Sequence, residues 1–265
     1  MPTIDHGSDL TLAPTISPLV RVSGRSVRGV FSALADLGFR SVQLDAALPG
    51  IRPRELDQRA RRDLAAAAQR AGLAIAGVDL FIPRQHLLEA EHLDRATQAI
   101  LAAIQFASDL GRIPLSTALP VAEMPDDVSA ALLAQADALG VMLAVHAEDQ
   151  PEQLATWVAE SGDGVAGVAL DPAAVLASQA DPVQRLQQAG RLLAVARLSD
   201  TQRGLADGSR LPIGSGDLDV TGYRLSADLA PNRVGPVVLD LRGLTDPASA
   251  AAAGKRAWDN AAVAL

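Results

Sequence analysis

Short apolar runs bounded by turn residues alternate, along almost the whole chain, with longer stretches rich in Ala and Leu. This alternation limits the fold more than any other feature. The strand-like runs are "FRSVQLDA" (39–46), "LAIAGVDLFI" (73–82), "RIPLSTAL" (112–119), "VMLAVHAE" (141–148), "GVAGVALD" (164–171), "RLLAVARLSD" (191–200) and "GPVVLDLRG" (235–243). One further strand is expected early, in "LTLAPTIS" or "PLVRVS", where the prolines make it the least typical. Between them lie helical patterns over 52–72, 89–111, 125–140, 151–161, 181–190, 220–230 and 246–265. In the second of these, Leu93, Ala96, Ile100, Ile104 and Ala107 share one face and Gly111 stops the helix. Asp126 or Asp127 lies near the N-cap of the third.

Near-continuous apolar strands separated by helices imply a parallel sheet covered on its outer face. Eight such units in a chain of 265 residues favour a closed (β/α)8 TIM barrel over an open doubly wound sheet. No linker or low-complexity break divides the chain, so residues 1–265 are expected to form one domain. Aromatic residues are only 3%, which leaves Leu, Val, Ile and Ala to fill the core and suits a layered α/β protein better than a β-sandwich.

The formal charge of −8 repels phosphate backbones, so no nucleic-acid partner is expected. There is no cysteine, which excludes disulfides, thiolate metal sites and a Cys nucleophile. The first residues lack a basic region followed by an apolar core, and no apolar run approaches a membrane span. A cytoplasmic protein acting on a small molecule is expected, with no membrane partner and a homo-oligomer left open.

In a TIM barrel the chemistry gathers at the C-terminal ends of the strands. Read in order, those ends carry Asp45; Asp79; Thr117; His146 and Glu148; Asp171; Arg197 and Asp200; Asp240 and Arg242. The last four strands crowd ionisable groups onto one rim. His86, in the loop after the third strand, could overhang the mouth; His92 is read as solvent-facing, and His6 carries no role. The segment "LPIGSGDLD" (211–219) raises a nucleotide-binding question. Asp219 stands where a dinucleotide fingerprint needs its third glycine, and the Gly-Lys-Ser/Thr of a Walker loop is absent. Asp217 and Asp219 also oppose a phosphate. The segment is therefore read as a loop over the mouth, with Gly214 and Gly216 allowing tight turns and Asp219 capping the next helix.

The segments "GVMLAVHAE", "GVALDPAAV…DP", "ARLSDTQRG…RLPIGSGDLD" and "VVLDLRG…DP" follow one another in an order and spacing that resembles the xylose-isomerase-like sugar isomerase and epimerase barrels. The resemblance runs from about Phe31 to the end and is strongest in the second half. It implies one divalent cation (Mn, Mg, Co or Zn) at the mouth, and carboxylates that shuttle a proton next to a carbonyl. Its metal ligands are a Glu ending strand five, an Asp ending strand six, a His in strand seven and a Glu in strand eight, commonly with a second His three residues after that Asp. Here His146 stands for the first Glu, Asp171 is kept, Ala174 replaces the second His, Arg197 replaces the strand-seven His, and Asp240 shortens the last Glu. Arginine has no lone pair to give a metal.

These departures leave alternatives open. The resemblance and the strand ends together nominate His146, Asp171, Arg197 and Asp240 as catalytic, and Glu148, Asp200, His86 and Arg242 as substrate-binding. A retained cation would be held by His146, Asp171 and Asp240. Otherwise the site is metal-free, with the Arg197 guanidinium in the cation's place holding Asp171 and Asp240, or the cluster is a structural remnant. The expected function is a sugar isomerase or epimerase acting on a small sugar or polyol derivative. The alternative is a catalytically degenerate barrel that binds a small molecule or protein partner without turnover.

Overall fold

The apolar runs form eight parallel strands in a computed structural model that describes residues 11–161, 164–205 and 209–263. His6 lies outside the described residues. The strands are β1 Leu12–Pro14, β2 Ser41–Asp45, β3 Ala74–Leu80, β4 Leu115–Ala118, β5 Leu143–His146, β6 Ala166–Leu170, β7 Leu193–Leu198 and β8 Val237–Leu239. Around them run α1 Ser17–Ser23, α2 Val27–Asp36, α3 Gln58–Arg70, α4 Ala90–Asp109, α5 Asp126–Leu139, α6 Pro151–Glu160, α7 Pro172–Ala177, α8 Pro182–Ala189, α9 Val220–Asp228 and α10 Pro247–Val263.

The sheet order is β1-β8-β7-β6-β5-β4-β3-β2. Its two ends meet at one bridge, Thr15–Gln43, where the Ile16 N–H donates to the Gln43 carbonyl at 3.1 Å. The result is a nearly closed (β/α)8 barrel, as the alternation of the sequence implies. None of the helices among the described residues is long and apolar enough to cross a membrane.

Two layers of packing follow from the period-2 alternation of the strands. Outward-facing aliphatic residues such as Val42, Val78, Leu143 and Leu170 bury themselves against the helices in one large core. A second cluster of Ala144, Ala169, Ala194, Val195 and Val238 fills the lumen. These are small residues because the space is small: a Cβ on Gly167 would stand 2.5 Å from the Ala194 Cβ. With so few aromatics, the lumen closes by close approach of backbones rather than by large rings.

Some local readings change. "PLVRVS" is α1 rather than a strand, and β1 lies in "LTLAPTIS". Pro14 is accepted because it ends the strand, against Leu239 of β8. Residues 52–72 are not one helix. Pro53–Glu55 form a single 3-10 turn, and α3 begins after Asp57, whose carboxylate caps the Ala60 N–H at 2.8 Å. Asp126 and Asp127 sit inside the first turn of α5, where they face the positive end of its dipole without capping it. An unexpected helix, α7, starts at Pro172 directly behind Asp171.

Candidate active site

Alternation along β7 turns the Arg197 side chain into the lumen near its C-terminal end, where it is 0% exposed. A guanidinium buried this deeply needs carboxylates on all sides. Asp79 at the end of β3 accepts two parallel hydrogen bonds from it, Nη1 to Oδ1 at 2.8 Å and Nη2 to Oδ2 at 3.1 Å. Asp240, just beyond β8, accepts from Nε at 3.2 Å. Asp79 is steadied in turn by the Gln43 amide at 2.9 Å. Gly77 leaves room for that amide, since a Cβ there would lie 2.5 Å from Gln43 Oε1.

Asp240 is shared by three guanidinium groups. Besides Arg197, Arg210 approaches its Oδ2 at 3.3 Å and Arg242 donates Nε–H to Oδ1 at 2.9 Å. Burial by itself would raise the Asp240 pKa; the surrounding arginines outweigh it and hold the carboxyl well below the usual range. Arg210 also clasps Asp171, donating from both Nη atoms. The Asp171 Oδ1 accepts further bonds from the Ser199 hydroxyl at 2.5 Å and the Ala173 N–H at 3.1 Å, the second capping α7. Burial opposes ionisation at Asp171 too, and the Arg210 charge overcomes it, bringing the pKa down to about 2.

This corrects the expected pairing. Arg197 holds Asp79 and Asp240; Asp171 belongs to Arg210, a residue with no role in the sequence reading although it opens the "RLPIGSGDLD" segment. The reason is reach: Asp79 and Arg197 come from strands on opposite sides of the barrel, and only closure brings them together. Arginine-bound carboxylates with depressed pKa are also weak bases, so Asp171 and Asp240 are poorly suited to the proton shuttle assigned to them.

His146 at the end of β5 has a different environment. Its Nδ1 lies 2.8 Å from Glu148 Oε1, which also accepts the Asp171 N–H at 2.9 Å. A carboxylate oxygen accepts here, so Nδ1 carries a hydrogen, and in the neutral ring the lone pair sits on Nε2. That Nε2 is buried and has no hydrogen-bond partner among the described residues. The Phe81 ring stands 5.4 Å from the imidazole and 4.1 Å from the Arg242 guanidinium carbon, measured between centroids and to the centroid respectively. Phe81, His146, Glu148, Asp171, Arg210 and Arg242 line one cavity of about 360 Å³ at the barrel mouth. Tyr223 of α9 is buried, its hydroxyl without a hydrogen-bond partner among the described residues, and burial, with the Asp171 and Glu148 charges, raises its pKa.

Two nominated residues lie elsewhere. Asp200 is fully buried, and its carboxylate accepts the N–H groups of Thr201 at 2.9 Å, Gly214 at 2.9 Å, Gly216 at 3.0 Å and Leu218 at 3.1 Å. The glycine loop does form an anion nest, and the chain's own aspartate occupies it. Gly214 has φ +83°, and a Cβ on Gly216 would stand 2.3 Å from Asp200 Oδ1, so both glycines serve this knot. Asp219 caps α9 through the Gly222 N–H at 3.0 Å. His86 does not line the mouth cavity; its ring lies 4.6 Å from that of His92, tilted by 57°, and His92 is half-buried rather than solvent-facing.

The donor set does not fit a divalent cation. Among the described residues no three His, Asp or Glu side chains are grouped to hold one. His146 offers one ring nitrogen, Nε2, but the oxygens of Asp171 and Asp240 that would complete the set already face guanidinium groups. Arg197 places a fixed positive charge among them. The expected ligand set of His146, Asp171 and Asp240 is therefore not assembled.

The sequence profile of the family described as "Xylose isomerase-like TIM barrel" matches residues 31–256. No curated protein matches the chain in sequence. Among solved structures, a xylose isomerase domain protein from Planctomyces limnophilus is similar with a TM-score of 0.72 and 17% identity, covering 95% of each chain. A xylose isomerase-like TIM barrel protein from Mycobacterium smegmatis, in complex with magnesium, gives 0.70 and 14% over 97% of this chain and 98% of its own. D-psicose 3-epimerase with D-tagatose, from Clostridium cellulolyticum H10, gives 0.69 and 14% over 96% and 98%. At these identities the structural likeness speaks for the fold alone.

Proposed function

The chain belongs to the xylose isomerase-like TIM barrel family, and from that premise we propose that it moves a proton next to the carbonyl of a small sugar or polyol derivative, with His146 as the base. The observation that carries this is the buried Nε2 of His146, without a hydrogen-bond partner among the described residues, on a ring oriented by Glu148 that lines one cavity with Arg210 and Arg242. Imidazole held this way by a carboxylate is a common general base. It would take the proton from the carbon beside the carbonyl. The C–H electron pair then forms the C=C bond of an enolate, and the guanidinium groups of Arg210 and Arg242 stabilise its oxygen. Return of the proton by His146 to the neighbouring carbon on the same face, with the hydroxyl proton passing to the former carbonyl oxygen, gives an isomer. An epimer forms when the same carbon takes a proton from water on the opposite face and His146 gives its own to solvent. Arginine would thus supply the positive charge at the mouth of this barrel; the structural neighbour from Mycobacterium smegmatis is in complex with magnesium. The epimerase among the structural neighbours supports the substrate class.

The rival reading, a barrel that binds without turnover, has its own support: Asp79, Asp171 and Asp240 are each paired with arginine. Exchange of substrate hydrogen with deuterated water, followed by NMR over a panel of ketoses, aldoses and polyol derivatives in the presence of a chelator, separates the two. Proton transfer predicts exchange that the chelator leaves intact and that falls about a hundredfold or more in His146→Asn. Binding with no exchange on any substrate would establish the non-catalytic reading.

A further inference from the structure

A second cavity, of about 580 Å³, opens on the same C-terminal face, between the loops after β2 and β3 and the first turns of α4. Phe81 lines both cavities, so they adjoin at this residue. The lining of this second cavity carries Arg52, Arg54, Arg95, His86 and His92 and no acidic side chain. In a chain of net charge −8 such a one-sided lining is unusual. Nearby carboxylates neutralise only part of it. Glu55 pairs with Arg52 at 3.2 Å, and Glu89 reaches His92 at 3.7 Å. Glu55 also attracts Arg54 at longer range, and neither Arg54 nor Arg95 has a close ion-pair partner among the described residues. The mouth cavity, by contrast, has its arginines matched by aspartates.

We infer that this cavity is an oxyanion-binding subsite that takes a phosphate or carboxylate group of an elongated ligand whose other end lies beyond Phe81 at the mouth. The forked donors of Arg54 and Arg95 suit such an oxyanion, and the histidine pair adds two ring nitrogens on the same wall. The rest of the lining, alanines, prolines, Leu80 and Ile82 beside Phe81, is apolar and suits the ligand's carbon skeleton. Only the placement of the ligand's second end rests on the proposed proton transfer; the anion site itself does not.

Calorimetric titration of the whole protein with inorganic phosphate at low ionic strength tests the site. Saturable binding is expected in the wild type, about tenfold weaker in the Arg54→Ala/Arg95→Ala double variant, whose altered side chains are exposed and leave the core intact. His146→Asn should bind phosphate like the wild type, so failure of the base and failure of the subsite read out separately. No saturable binding, or equal binding by the double variant, would overturn the inference. The same titration with a pentose phosphate and a sugar acid tells the two oxyanions apart. Tighter binding of either names the source, and neither exceeding the uncharged pentose would also overturn it.

Discussion

Arg197 of β7 grips Asp79 of β3 across the barrel lumen through two parallel hydrogen bonds of 2.8 and 3.1 Å. The two residues are 118 positions apart in the chain, and both are buried. A buried pair of this kind is valuable mainly through what its loss would expose.

Arg197→Ala should therefore destabilise the protein by about 3–5 kcal/mol, because it strands Asp79 and Asp240 without their shared cation. Urea unfolding measures this directly. A loss comparable to an ordinary surface substitution would show that the lumen cluster does not hold the barrel together.

Acid should unfold the protein in a defined window. Asp171 is brought down to about 2, and Asp240 is held well below the ordinary carboxylate value. A depressed folded-state pKa contributes stability that is complete above the unfolded value near pH ~4 and is lost as pH falls toward ~2. For Asp171 alone the contribution is roughly 2 kcal/mol at neutral pH. The urea midpoint should stay level from neutral to about pH 5 as far as these groups are concerned, then drop, with a shallower drop in Asp171→Asn. An unchanged slope in that variant would remove Asp171 from the account.

Gly216→Ala should cost more than Gly214→Ala. At Gly216 the new Cβ would stand 2.3 Å from Asp200 Oδ1 and from the Thr201 carbonyl oxygen, so the loop has to move and the buried carboxylate loses donors. At Gly214 nothing lies within 4 Å and only the φ of +83° is strained, at about 1 kcal/mol. Thermal unfolding of the two variants side by side gives the order.

Added manganese, magnesium, cobalt or zinc should leave the melting temperature of the wild type unchanged, since guanidinium groups occupy the oxygens that a cation would need. A clear stabilisation by one of these ions would mean that the arginines yield and a ligand set forms.

Glu148→Gln should lower kcat by about tenfold to a hundredfold while leaving the fold intact. The amide oxygen still accepts from His146 Nδ1 but no longer stabilises the charged ring as the proton arrives. Steady-state kinetics on whichever substrate exchanges its hydrogen would check it.

The sequence by itself determined the barrel. Eight apolar runs separated by amphipathic helices have few other ways to bury both faces, and the strand-end position of His146, Asp171, Arg197 and Asp240 follows from counting along each run. Local pairings were legible too: Asp219 caps α9 because the cap and its target amide are three residues apart. What only the tertiary structure decided is which charge meets which. Arg210 reaches Asp171 from a loop, Asp79 reaches Arg197 across the lumen, and Asp200 turns inward to fill the glycine nest. Alternation tells which way a side chain points, but an ion pair depends on a distance of a few ångströms between separate strands. That distance is set by barrel closure and by the register of the sheet, which no local pattern records.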